Sequence, residues 1–248
     1  DEAFIFSGTP RFNQNVLQRW LHAAQSPVFT GILDESGHEI PGEGDFVRIW
    51  HRPEPGHLYF VGVDCAEGIE GGDFQAASVY DRTAHRQAAT IHGTMEADDY
   101  AELIARVARR YGTAQVAVEV NGCGWAVLNR LRRLYHHLYH RMEYDRETRK
   151  PGLRIGWYTN VVTKPDVVGK LAEAIRDDMV TVEDRETVGE LMAYARLGSG
   201  TEAPEGHHDD RVMALAIALT VSGETALDEY HHYDQARNET VGGHDEEA

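Results

Sequence analysis

Leu58-Tyr59-Phe60-Val61-Gly62-Val63-Asp64 is an unbroken apolar run that ends on a carboxylate. Apolar residues without polar alternation mark a strand covered on both faces, as in a sheet between helices. Two other segments repeat the theme. Val116-Ala117-Val118-Glu119-Val120 carries Glu119 at its end, and Asp209-Asp210 opens the apolar stretch Val212 to Leu219. A carboxylate at the edge of a core loses hydration, and a partner has to offset that cost. Several such groups meeting in space would form a site for hard divalent cations, which prefer oxygen ligands. Two such ions suit the in-line hydrolysis of a phosphodiester.

Outward from this run the pattern is α/β. Ala76 to Tyr80 and Ala88 to His92 read as further strands joined around Asp81-Arg82-Thr83. Asp98 to Tyr111 reads as a helix with Tyr100, Leu103, Ile104, Val107 and Tyr111 on one stripe, stopped by Gly112. Gln115 to Val120 is a strand and Trp125 to Tyr135 a helix. Tyr139 to Trp157 reads as a hairpin turning near Lys150-Pro151-Gly152. Helices are expected over Asp166 to Asp178, just after Pro165, and over Arg185 to Tyr194. Asp210 to Val221 is apolar almost all round, so it should be buried. Residues 1–55 look peripheral, with a helix over Asn13 to Ala24, a turn at Asp34-Glu35-Ser36-Gly37 and a short strand over Phe46 to His51, before the break Pro53-Glu54-Pro55-Gly56.

The chain has 248 residues, of which 42% are apolar, enough for a substantial core. No apolar run approaches the ~20 residues of a membrane span. Two cysteines, Cys65 and Cys123, fit small thiols in a reducing compartment rather than a disulfide scaffold. The net charge of −17 runs against phosphate binding, but it is unevenly spread. From Glu224 to Ala248 there are eight acids and one base, whereas from Arg130 to Arg154 there are eight bases and three acids. The basic set is Arg130, Arg132, Arg133, Arg141, Arg146, Arg149, Lys150 and Arg154, interleaved with Tyr135, Tyr139, Tyr144 and Trp157. Bases among aromatics suit a DNA phosphate track, although an ordinary charged helix and hairpin have the same composition.

Each acidic motif also has a bland reading. Asp64 precedes Cys65-Ala66-Glu67-Gly68, and an Asp that starts a Gly-rich turn is common. Asp73 is a candidate for contact with a metal through water. Asn121 is placed to cap the helix after Glu119. An Asp at a helix start is favoured by capping and by the dipole. One Asp suffices for that, so the other member of the Asp209-Asp210 doublet is free for metal, and which one stays open. His208 is a further candidate, because imidazole serves Mn²⁺. Lys164 and Lys170 are secondary phosphate-binding candidates. His136, His137 and His140 include an i, i+4 pair, but nothing completes a zinc set, and a solvated helix face near DNA is the expectation.

A strand-borne Asp, two more strands, a helix, a strand-borne Glu, a helix and a late-helix Asp doublet resemble the ribonuclease H-like arrangement. The expected fold is an α/β, ribonuclease H-like mixed sheet flanked by helices with a β-hairpin insertion, the first and fourth strands being parallel neighbours. Ile49-Trp50-His51-Arg52-Pro53-Glu54-Pro55-Gly56, the Asp64 and Glu119 motifs, Gly156-Trp157-Tyr158-Thr159-Asn160, Thr163-Lys164-Pro165 and Gly206-His207-His208-Asp209-Asp210-Arg211-Val212-Met213-Ala214-Leu215-Ala216 resemble the C-terminal nuclease domain of the large terminase subunit of tailed bacteriophages. That resemblance implies a nuclease that cuts concatemeric double-stranded viral DNA during genome packaging. It implies two Mg²⁺ or Mn²⁺ ions held by Asp64, Glu119 and Asp209 or Asp210. Portal, small terminase subunit and capsid are implied partners, in the cytoplasm of the infected host at the procapsid. The family also has an N-terminal ATPase domain, whose phosphate-binding loop this sequence lacks, so no ATPase activity is expected.

The domain reading is a linker or trailing edge of a missing ATPase domain at 1–55, a nuclease domain at 56–222 and an acidic, flexible tail at 223–248. Three rivals make different predictions. A catalytically inert docking module predicts a folded protein without action on DNA. An actin or sugar-kinase relative predicts ATP binding. A resolvase or transposase relative predicts four-way junction preference or strand transfer.

Overall fold

The computed structural model describes residues 9–42, 46–65, 74–144, 150–197, 200–202 and 209–225. In chain order the elements are β1 (Thr9–Pro10), α1 (Gln14–Ala23), β2 (Phe29–Leu33), β3 (Glu39–Pro41), β4 (Val47–Ile49), β5 (Tyr59–Asp64), β6 (Gln75–Asp81) and β7 (Arg86–Gly93). They continue with α2 (Ala97–Arg110), β8 (Gln115–Val118), α3 (Gly124–Leu134), β9 (His140–Tyr144), β10 (Pro151–Ile155), α4 (Thr163–Arg176), α5 (Arg185–Ala193), β11 (Ala195–Leu197), β12 (Gly200–Glu202) and α6 (Asp210–Glu224).

A seven-stranded mixed sheet runs in the order β3-β2-β4-β7-β6-β5-β8. Strands β5, β6 and β7 form an antiparallel meander, and β8 returns parallel to β5 with Val61 opposite Val116 and Val63 opposite Val118. The first and fourth strands of the reading are therefore neighbours, as their order implied. Two short ribbons stand apart from this sheet: the hairpin β9–β10 and the set β1-β11-β12.

Alternation along the central strands divides the core in two. Tyr59, Val61, Val63, Val116 and Val118 face the layer of α2 and α3. Phe60 and Ala117 face the other layer, built by α1, α4, α5 and α6. Successive strand residues point to opposite faces, so Gly62, Asp64 and Glu119 share the side of Phe60 and Ala117, which is the side of α6. Helix α6 lies directly on β5. A Cβ built on Gly62 would stand 2.1 Å from the Ala214 carbonyl oxygen and 2.5 Å from the Ala218 nitrogen. Only hydrogen at this position allows strand and helix backbones to approach so closely.

The segment before the Pro53-Pro55 break is not peripheral. Residues 29–49 add β2, β3 and β4 to the edge of the main sheet, with Val47 paired to Ile91 and Ile49 to Ala89. Phe29, Leu33, Val47 and Ile49 are buried at alternating positions; β4 lies within the strand expected from Phe46 to His51, whereas β2 and β3 are too short to show a period clearly in the sequence. The turn at Asp34 to Gly37 joins β2 to β3, with Asp34 accepting from the Ser36 and His38 amides. Asn13 caps α1 through the Asn15 and Val16 amides. Helix α4 begins at Thr163, before Pro165 rather than after it, because a proline in the first helical turn forfeits only an amide that has no intrahelical partner. Among the described residues no helix is long and apolar enough to cross a membrane.

Candidate metal centre

Asp64 is the last residue of β5, and Glu119 follows the last residue of β8. The two strands are parallel neighbours, and the Glu119 amide donates to the Val63 carbonyl at 2.9 Å. Both carboxylates therefore leave the same end of the sheet on the same face. On that face α6 starts at Asp210, with Asp209 in the capping position. Secondary structure thus delivers four acids from three distant segments to one place. Glu119 and Asp210 are buried at 9% and 7% exposure.

The electrostatics record the convergence. Burial, then the charges of Glu119 and Asp210, a hydrogen bond shared with Glu119 and finally the charge of Asp209 push the Asp64 carboxyl well above the usual carboxylate range. Like charges drawn together in a dehydrated site hold a proton between them unless a cation arrives. One cation is already present in the chain itself. Lys164, in the first turn of α4, places Nζ 2.8 Å from Asp209 Oδ2. Burial works against its ammonium, but the Asp209 carboxylate outweighs that and raises its pKa above the usual lysine value.

The acids are otherwise held by backbone. Asp210 Oδ2 accepts from the Phe74 amide at 3.2 Å. The Tyr100 hydroxyl donates to the Asp64 carbonyl at 3.4 Å, and the Cys123 thiol donates to the Cys65 carbonyl at 3.2 Å. Both cysteines are free. The last contact ties the end of β5 to the start of α3. Gly124 opens that helix with its α-carbon against the Glu119 carbonyl, 1.8 Å from where a Cβ would stand.

The donor set is all hard oxygen, which fits Mg²⁺ or Mn²⁺ and not a zinc thiolate site. Among the described residues no three His, Cys, Asp or Glu side chains already stand within one ion's coordination sphere. The Lys164 ammonium is the cation that this arrangement already holds, and a metal ion would offset the remaining crowding of carboxylates.

Other sequence candidates are placed differently. Asp73, His208, Arg146 and Arg149 lie outside the described residues, as does the tail beyond Thr225. Asn121 does not cap α3: its side chain donates to the Thr159 carbonyl at 2.7 Å and accepts from the Thr159 amide at 3.0 Å, which fastens the strand extension at Trp157 beside Glu119. Asp209, in the capping position of α6, makes no side-chain capping bond either. The cap comes from Glu190 on α5, whose Oε2 accepts from the Arg211 amide at 3.0 Å. No local pattern in the sequence marks Glu190, because it meets α6 only through tertiary packing.

The basic set is dispersed. Arg132 and Arg133 are exposed on the far half of α3, and Lys150 and Arg154 are exposed on the hairpin. Arg130 is paired with Glu102. Arg141 donates to the Ile155 and Gly156 carbonyls at 2.9 Å and lies over the Tyr158 ring, so it braces the hairpin base. The histidines do not form a solvated helix face. They follow the end of α3, and His137 is buried with Nδ1 2.7 Å from the Thr113 carbonyl. Lys170 is bound to Asp166 and Glu224.

Comparison with known proteins agrees with this arrangement. Residues 61–221 match the family model described as the terminase RNaseH-like domain. The large terminase nuclease of thermophilic phage G20c with bound magnesium superposes with a TM-score of 0.59 at 19% identity, covering 87% of this chain and 98% of that one. The same nuclease with bound cobalt gives 0.57 at 20% identity, covering 78% and 98%. The large terminase nuclease domain of Thermus phage P74-26 gives 0.53 at 19% identity, covering 82% and 93%. At these identities the likeness establishes a shared fold.

Proposed function

The chain belongs to the family of terminase RNase H-like domains, and on that premise we propose that it is a divalent-metal-dependent endonuclease that cuts concatemeric double-stranded viral DNA during packaging. The observation that carries the proposal is the convergence of Asp64, Glu119 and the Asp209-Asp210 doublet on one face at one end of the sheet, where burial and then the charges of Glu119 and Asp210 push the Asp64 carboxyl up. Nucleases of similar fold with bound magnesium and with bound cobalt support the use of a divalent cation.

Asp64 and Glu119 would hold two Mg²⁺ or Mn²⁺ ions together with one of the doublet aspartates. Bound there, such ions supply Lewis acidity for the attacking water and for the leaving 3′ oxygen. Asp210 is the better candidate for the third ligand. Its charge acts on Asp64 more strongly than that of Asp209, which is engaged by Lys164. Lys164 holds Asp209 in place and offers an ammonium to a phosphate oxygen arriving beside the acids. Arg132, Arg133, Lys150 and Arg154 are exposed and would meet the duplex backbone as point charges without reading bases. Portal, small terminase subunit, capsid and an ATPase domain are the partners that this role entails, at the procapsid in the host cytoplasm.

Plasmid cleavage in Mn²⁺, Mg²⁺ or EDTA tests the proposal, with wild type beside Asp64→Ala. Metal-dependent nicking and linearisation absent from the variant is the expected result. Equal cleavage by both proteins would remove Asp64 from the chemistry and overturn the proposal.

A further inference from the structure

Helix α6 begins at the aspartate doublet, and its first amides need acceptors. The residue in the capping position ordinarily supplies them, its side chain taking the amides two and three residues on. For Asp209 those are the amides of Arg211 and Val212. The first of these donates instead to Glu190 Oε2, in α5, at 3.0 Å. The same carboxylate lies 3.1 Å from Arg211 Nε. The Arg211 side chain is 6% exposed and also meets Asp184 at 3.4 Å and Glu186. Asp184 is itself the cap of α5, accepting from the Glu186 and Thr187 amides. The start of α6 is thus clamped by carboxylates on and beside α5, at both its backbone and the buried Arg211 side chain.

We propose that Glu190 is a positioning residue for the catalytic acids: it caps α6 from a neighbouring helix and so releases Asp209 from the cap to stay beside Lys164 at the acid cluster. A doublet at a helix start faces competing demands, since the amides and the cluster draw on the same carboxylates. Glu190 resolves that competition in favour of the cluster. When it is removed, Asp209 becomes the acceptor for these amides, the Arg211 amide first. A carboxylate turned to them breaks with Lys164 and withdraws its charge from Asp64. The catalytic consequence rests on the nuclease reading, but the exchange of caps does not.

The experiment is a double-mutant cycle between Glu190→Ala and Asp209→Ala, read by thermal unfolding in EDTA and by Mn²⁺ titration calorimetry, with Glu190→Gln as a third variant. Glu190→Ala should lower the Mn²⁺ affinity about 10- to 100-fold, the usual range for loss of a group that orients a ligand. Its Tm cost should be about 2–4 °C larger in the Asp209→Ala background, where no substitute cap exists. Glu190→Gln, which still offers an oxygen to the amides, should keep the Mn²⁺ affinity to within roughly threefold. Equal Tm costs in the two backgrounds would overturn the exchange of caps. A Gln variant as impaired as the Ala variant would assign the effect to the Arg211 ion pair and overturn the proposal too. Neither readout depends on cleavage, so a protein inactive on plasmid leaves this test intact.

Discussion

Gly62→Ala probes the junction that brings the acids together. The added Cβ would stand 2.1 Å from the Ala214 carbonyl oxygen, against about 3.4 Å for ordinary contact, and 2.5 Å from the Ala218 nitrogen. Both obstacles are helix backbone, so no side chain can rotate away. Strand and helix have to separate by about 1.3 Å, the difference between 3.4 and 2.1 Å. Overpacking of this kind costs about 1–3 kcal/mol, offset by the ~0.5–1 kcal/mol that alanine recovers from the smaller entropy of the unfolded chain. For a domain of this size each kcal/mol moves Tm by about 2–4 °C, so the net cost lowers Tm by up to roughly 10 °C. The functional effect should be larger than the thermal one. Asp64 lies two residues along β5, and α6 carries Asp209 and Asp210 at its start. A displacement of about 1 Å between reacting groups can cost on the order of 100-fold in rate. The assay pairs unfolding in EDTA with initial nicking rates in Mn²⁺. Gly189→Ala on α5 is the control, since its Cβ would meet nothing within 4 Å and the helix should gain up to ~1 kcal/mol. A Gly62→Ala protein with wild-type Tm and wild-type nicking would refute the claim that this contact sets the geometry.

Asp64→Asn should abolish cleavage yet raise Tm in EDTA, because it removes a charge that its neighbours oppose. In wild type, Mn²⁺ at about 100 times its dissociation constant should add roughly 2.7 kcal/mol of stability, and a variant still stabilised to that extent would remove Asp64 from the ligand set. The pH dependence has a definite sign. Burial pushes the Glu190 carboxyl up to about 8, against the pull of Arg211, and Asp64 is raised as well. Between the unfolded carboxylate pKa and these raised values the folded state binds more protons, so metal-free stability should fall as pH rises from about 5 to 8, by at most ~1.4 kcal/mol per pH unit and group. Denaturant midpoints that stay flat or rise over that range would contradict it. Lys164→Met leaves Asp209 without its cation. It should lower Tm in EDTA, and Mg²⁺ should recover part of the loss; a deficit that Mg²⁺ leaves unchanged would place Lys164 outside the metal centre.

The acids and the strands that carry them were legible in the sequence because a continuous apolar run ending on a carboxylate is a local property. Val61-Gly62-Val63-Asp64 and Val116 to Glu119 announce buried strands with a carboxylate at the end, and the apolar circumference of α6 announces burial. The short strands β2 and β3 escaped, since three to five residues do not establish a period and they join the sheet only through β4, which the expected strand from Phe46 to His51 contains.

By itself, the order of residues determined which groups are available for chemistry and which end of each element bears them. Tertiary structure alone decided how those groups divide the work. Asp209 faces Lys164, 45 positions earlier, and the Arg211 amide it would otherwise cap belongs to Glu190, 19 positions before Asp209. Hydrogen at Gly62 matters only because α6, some 150 residues later, rests on it. Such partners are chosen by packing between elements, where the competition of one carboxylate with another is settled by distances of an ångström that no local pattern encodes.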